Sequence, residues 1–278
     1  MGHQSRCWGV PTQGLPGGDW NWKRKTRMRT PLALATLLGA GLLLSGCQTG
    51  PMNANLLNTG LEMFNAATMT DEQMAQTSLA GIRSMDASNR IAPAQSKYAR
   101  RLAKLTKAYD SVNGRPLNFK VYISQDINAF AVPDGSIRIM SALMDHMSDD
   151  ELLFVIGHEI GHVYHGHARK RFQTAYAMSG LVKLASSSGG LNVNASQAGA
   201  LVSEVVKAQF SQENEREADD YGYDVAVRAG ASKTAPAAAL RKLAALSQSH
   251  SNAIAQMLAT HPDPASRAAR MDERALKG

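Results

Sequence analysis

The sequence predicts an α+β domain, mainly helical, with a small β-sheet next to a helix that carries His158-Glu159-Ile160-Gly161-His162. Three observations lead there. Strict alternation of apolar and polar residues, the mark of a half-buried strand, occurs in one short stretch from Leu117 to Ser124. A turn signal, Pro133-Asp134-Gly135, separates two further extended segments, 128–132 and 136–140, as in a hairpin. Beyond Met140 the apolar positions recur at helical spacing almost to the end. With 278 residues, 44% of them hydrophobic and 19% charged, the chain has the composition of one sizeable globular domain, and it contains no internal repeat.

Residues 1–46 read as a lipoprotein signal peptide and not as part of that domain. Lys23, Arg24, Lys25, Arg27 and Arg29 precede an apolar run from Leu32 to Leu44 that is shorter than the ~20 residues a spanning helix needs. Leu44-Ser45-Gly46-Cys47 resembles a bacterial lipobox, so Cys47 is the expected lipidated N-terminus, and Gln48 in place of Asp implies sorting to the outer membrane, facing the periplasm. Met28 begins a complete signal by itself, which makes residues 1–27 an extension before the true start. Residues 47–69 are the expected lipidated tether, and 70–278 the folded domain. Five of the seven net positive charges belong to the leader, so the mature chain keeps about +2 and offers no basic face for nucleic acid. Cys7 and Cys47 are the two cysteines, which leaves the mature chain without an intrachain disulfide.

Residues 70–112 predict helices that cover the domain. Ser148 and Glu151 have capping-box spacing and start the helix bearing the His-Glu-x-x-His segment. Ser186-Ser187-Ser188-Gly189-Gly190 interrupts the helical part as a flexible loop or insertion, and Ser211 caps a later, acidic helix.

Histidines at i and i+4 share one helix face, so His158 and His162 can reach one metal ion while Glu159 reaches its water. A third ligand is needed. The extended pattern with a later glycine and histidine fails, because His165 and Ala168 stand at those positions. Glu215 and Asp219, again at i and i+4, supply carboxylates, one to ligate and one to steady a ligand imidazole. A purely structural zinc site has no use for Glu159. His165 and His167 read as solvent-facing, without a metal role, and Glu213 and Glu217 as outside the site.

Taken with Asn128-Ala129-Phe130-Ala131-Val132-Pro133, His261-Pro262 and Arg267, these segments resemble the gluzincin metallopeptidase family of the CAAX prenyl endopeptidases and HtpX-type proteases, in its bacterial periplasmic lipoprotein subgroup. The resemblance covers about half of the chain. It implies one Zn2+ per chain held by His158, His162 and Glu215, with Asp219 behind them and Glu159 as the catalytic base. It makes His261 the oxyanion donor and Arg267 the residue that positions His261 or a substrate carbonyl. Gln212 departs from the arginine common in the family, which puts in doubt any contact that arginine makes. Substrate would lie as an added strand along the edge formed by Asn128, Ala129, Phe130 and Ala131. The implied substrates are unfolded or misassembled envelope proteins, with the outer-membrane assembly machinery as a partner. The alternative is a chaperone or assembly factor for outer-membrane proteins with little proteolysis.

Overall fold

Thr70 opens the first helix, α1 (Asp71–Ser88), by accepting the Gln73 N–H while the Gln73 side chain accepts the Thr70 N–H. The computed structural model describes residues 69–179 and 193–277, so the leader, Cys47, the tether as far as Thr68 and the loop at 186–190 lie outside the described residues. Among the described residues no helix is long and apolar enough to cross a membrane.

Helix α2 (Lys97–Thr106) leads into a two-stranded hairpin, β1 (Ser111–Val112) and β2 (Arg115–Pro116), absent from the sequence expectation. Its turn puts Asn113 and Gly114 at positive φ, 49° and 73°, the backbone that an Asn-Gly pair favours. Strand β3 (Asn118–Tyr122) is shorter than the alternating stretch 117–124, because the chain at 90–92 meets its end: Ile123 N–H donates to Arg90 O and Ala92 N–H to Val121 O. Strands β4 (Ala129–Ala131) and β5 (Ser136–Met140) form the expected hairpin. The sheet order is β3-β5-β4, with β5 parallel to β3 and antiparallel to β4. Thus β4 is an edge strand. Arg138 on β5, 1% exposed, is gripped by Asp86 of α1 at 2.8 and 3.0 Å, and Lys120 and Tyr122 bond the same carboxylate.

The helices follow as α3 (Ser141–His146), α4 (Asp149–Tyr164), α5 (His167–Met178), α6 (Ala195–Lys207), α7 (Gln212–Arg228), α8 (Ala235–Ser249), α9 (Ser251–Thr260) and α10 (Pro264–Lys277). One apolar cluster, including Ile137, Ile139, Leu152, Ile156, Leu240 and Met271, lies between β5, α4, α8 and α10. A second joins α1, α5, α6 and β4 through Met74, Ile82, Phe130, Phe172, Leu201 and Val202. This is the mainly helical α+β architecture the sequence predicts, with α4 central and buried from Glu151 to His162.

Candidate active site

Helix α4 begins where expected: Ser148 accepts the Glu151 N–H, and Glu151 accepts the Ser148 N–H at 2.7 Å. The same carboxylate takes the Lys242 ammonium of α8 at 2.5 Å, which ties the start of the helix to its surroundings. Helix α7, capped by Ser211, crosses α4 at close range. A Cβ added to Gly157 would stand 2.7 Å from Val225 Cβ and 2.9 Å from Gly222 Cα, and one on Gly222 would meet the His158 N at 2.9 Å. Larger residues would force the helices apart. The contact brings Glu215 and Asp219 against the turn that carries His158.

Four groups converge there: His158, His162, Glu215 and His261, all buried, each offering one atom within 4.8 Å of the others. His158 Nε2 is 3.0 Å from His162 Nε2, 3.3 Å from His261 Nδ1 and 3.6 Å from Glu215 Oε2. Glu215 Oε1 is 3.4 Å from His162 Nε2 and 3.0 Å from His261 Nδ1. Tetrahedral ligands about 2.0–2.1 Å from one zinc ion stand about 3.3 Å apart, so these separations fit that ion. Glu159, 1% exposed, has no hydrogen-bond partner on either carboxylate oxygen, and His261 Nε2 stands 3.8 Å from its Oε1. A buried carboxylate left unpaired is costly, and such a group is explained by a partner that arrives with the reaction.

His158 Nδ1–H donates to Asp219 Oδ1 at 3.0 Å. Arg267, on α10, donates to both oxygens of Asp219, from Nη2 at 2.6 Å and Nε at 2.9 Å, and its Nη1 pairs with Glu215. Its bonds thus go to Asp219, behind His158, and to Glu215 itself, and none of them is to His261. Burial alone would raise Glu215 and Asp219, but His261 and Arg267 hold Glu215 well below the usual range, and Arg267 also brings Asp219 below its ordinary value. Burial would lower His158, yet Glu215 and Asp219 outweigh it and the net direction is upward. His162 goes the other way, far below the ordinary imidazole value, because burial outweighs the opposing pull of Glu215.

The structure places His165 in solvent but overturns the expectation for His167. Gly166, at φ 74°, reverses the chain and starts α5 beneath the end of α4, so that His167 is 6% exposed with its Nδ1 3.1 Å from His162 Nδ1. Glu217, expected outside the site, accepts from His167 Nε2 at 2.8 Å, whereas Glu213 pairs with Arg216 at the surface. Sequence reasoning also missed Phe210. Its ring stacks on His162 with centroids 3.6 Å apart and 12° between planes, and the Arg171 guanidinium covers its other side at 3.8 Å. Arg171 bonds the carbonyls of Val205 and Ala208 at the end of α6, and burial pulls it down to about 10 against the charges of Glu159 and Glu215. The unexplained signal was an aromatic directly before a helix cap.

Three imidazoles and a carboxylate this close together suit zinc, and a buried glutamate without a hydrogen bond, one residue from a ligand, suits the base of a hydrolase. The site is that of a zinc metallopeptidase. Residues 94–275 match peptidase family M48, and the chain belongs to that family. It is 40% identical to "Metalloprotease LoiP" of Escherichia coli strain K12, over 87% of this chain and 96% of the relative. It is 35% identical to "Metalloprotease YcaL" of the same strain, over 90% and 98%. The identity to the "Beta-barrel assembly-enhancing protease" of Yersinia pestis is 30%, over 84% of this chain and 51% of that longer protein.

Proposed function

We propose that this metallopeptidase is a lipid-anchored endopeptidase that cuts unfolded or misassembled proteins of the bacterial envelope, with His158, His162 and Glu215 as zinc ligands and Glu159 as the base. The observation that carries the site assignment is the partnerless Glu159 carboxylate beside four converging ligand groups. Zinc held by His158, His162 and Glu215 would supply Lewis acidity to a scissile carbonyl and to water, lowering the pKa of the latter toward about 7. Glu159 takes the proton of that water and returns it to the leaving amine. Asp219 holds the His158 ring through Nδ1, and Arg267 balances the charges of Asp219 and Glu215; both are positioning residues.

His261 lies within reach of the other ligands, which supports a resting role as a fourth ligand that swings away to become the oxyanion donor. X-ray absorption should then find one nitrogen fewer around zinc in His261→Ala, together with unregulated cleavage. A plain loss of activity with unchanged coordination rules the switch out and leaves the donor role.

Substrate as an added strand on β4 is supported by the ladder. Val132 N–H donates to Ser136 O and Met140 N–H to Asn128 O, so the even-numbered residues bond β5, and the Ala129 C=O and both backbone groups of Ala131 lie on the outer side of the strand, where the Ala129 N–H is held by the Asn128 side chain at 3.0 Å until a substrate strand replaces it. An extended, unfolded chain can supply the partner strand, and a folded barrel cannot. The basic leader and lipobox at Cys47 support the anchor, and the assembly-linked name of a relative supports the choice of substrates. The test is digestion of one outer-membrane protein in its unfolded and its folded state. Zinc-dependent cleavage of the unfolded form alone is expected. Suppressed aggregation without cleavage would favour the assembly-factor reading instead. Mass spectrometry of the membrane fraction should find Cys47 lipidated at the N-terminus, and unmodified Cys47 would refute the anchor.

A further inference from the structure

We propose that His167 and Glu217 form a hydrogen-bonded relay that fixes the ring of His162 in the one tautomer and orientation able to bind zinc, a role that rests on the zinc-site reading above.

The proton count leaves one arrangement. His162 turns Nε2 toward the cluster, 3.0 Å from His158 Nε2 and 3.4 Å from Glu215 Oε1, and ligation requires a lone pair on that nitrogen. A neutral imidazole then carries its proton on Nδ1. That nitrogen is 3.1 Å from His167 Nδ1, so His162 donates and His167 accepts. The proton of His167 is thereby on Nε2, which donates to Glu217 Oε2 at 2.8 Å. Every polar atom along the path is paired, and the chain ends on a carboxylate with no proton to give back. The opposite tautomer of His162 would aim an N–H into the ligand cluster and exclude the ion.

The fold assembles this relay from three elements. Gly166 lets the chain turn within two residues, so the first residue of α5 lies beneath the last turns of α4. Helix α7 then holds His162 from both ends of the ring, through Glu215 at Nε2 and through Glu217 by way of His167 at Nδ1. With His167 only 6% exposed, an unmade bond at either nitrogen would be expensive, which keeps both ends committed. Phe210 restricts tilting of the same ring but offers no hydrogen bond to set its tautomer.

Zinc affinity of the full chain, measured by chelator competition at fixed pH, tests the relay in His167→Leu, Glu217→Leu, the double variant and Glu217→Gln. Loss of such an outer partner typically weakens metal binding about 10–100-fold. We expect a loss of that size in His167→Leu and Glu217→Leu, and no further loss in the double variant, because either change breaks the same path. Glu217→Gln, whose amide oxygen still accepts from His167, should recover most of the affinity. Glu217→Leu also leaves the buried Nε2–H of His167 unpaired, so metal-free stability is measured beside affinity for every variant, and a zinc-affinity loss larger than the metal-free destabilisation separates the relay from general weakening. Wild-type zinc affinity in both leucine variants, or a loss tracking lowered metal-free stability, overturns the relay. Absence of zinc binding by the wild type would instead overturn the metal site itself.

Discussion

His158 and His162 stand one turn apart on α4, both buried, yet their rings are steadied by opposite means. His158 rests on charge: Asp219 accepts from its Nδ1, Arg267 forks onto Asp219, and Glu215 lies across the cluster. His162 shares Glu215 at Nε2, at 3.4 Å, but otherwise rests on an aromatic face and an imidazole, with Phe210 flat against the ring and His167 at Nδ1. The charge beside His158 outweighs its burial and raises its affinity for a proton, whereas burial dominates at His162 and lowers it. Two chemically equal ligands therefore differ because a 3.6-residue turn points them at different neighbours. The motif fixes the spacing of the rings, and the packing partners fix their electrostatics.

The largest effect should come from breaking the charged side. Removing one partner of a buried ion pair typically costs about 3–5 kcal/mol, because the other charges stay buried. Arg267→Met should destabilise the metal-free protein by about that amount in urea unfolding, since Asp219 and Glu215 would face each other without a cation. An unchanged midpoint would mean that the charge does not hold His158.

A pair remote from the ligands in sequence sharpens the contrast between charged and uncharged support. Burial raises the Asp86 carboxyl, but its bonds from Arg138, Lys120 and Tyr122 outweigh this and hold it below the unfolded value of 3.8. A depressed carboxylate stabilises the fold at any pH above its unfolded pKa, and that contribution fades as pH falls through the folded one. Asp86→Asn should thus cost about 1.5–3 kcal/mol at pH 7, as for hydrogen bonds to charged groups. The gap to wild type should close below pH 3.8, with zinc affinity unmoved. A gap constant down to pH 2 would contradict the charge argument.

The smallest effect belongs to the aromatic side. Stacked aromatic pairs are worth about 0.5–1.5 kcal/mol beyond their burial. Phe210→Leu should therefore shift unfolding by about 1 kcal/mol while allowing the His162 ring more freedom, seen as a modest fall in zinc affinity. A loss as large as that of Arg267→Met would erase the distinction between the two sides.

Much of this arrangement was legible in the sequence because it is local. The capping box at Ser148 and Glu151, the i and i+4 histidines, and the Glu215 and Asp219 pair are each set within a few residues along one helix. The hairpin of β4 and β5 was equally visible through its Pro-Asp-Gly turn. Asn113-Gly114 was a readable turn signal that went unused. His167 was not legible: five residues beyond His162 it would face elsewhere on a continuous helix, and only the reversal at Gly166 folds it back. Arg267 was singled out, but its partners depend on how α10 docks against α7, which no period along the chain reveals. The parallel pairing of β3 with β5 is likewise set by a crossover between strands and not by any adjacent turn.

The central claim is that Glu159 does the proton transfer and takes no part in holding the metal, in contrast to His158, His162 and Glu215. It is tested most directly by measuring zinc content and casein cleavage in parallel for wild type, Glu159→Gln and His158→Ala. Loss of a general base typically costs about 10²–10⁴-fold in rate. Glu159→Gln should keep one zinc per chain with cleavage reduced at least that far, and His158→Ala should lose zinc and activity together. Cleavage by Glu159→Gln at the wild-type rate, or full zinc occupancy in an inactive His158→Ala, would contradict the account.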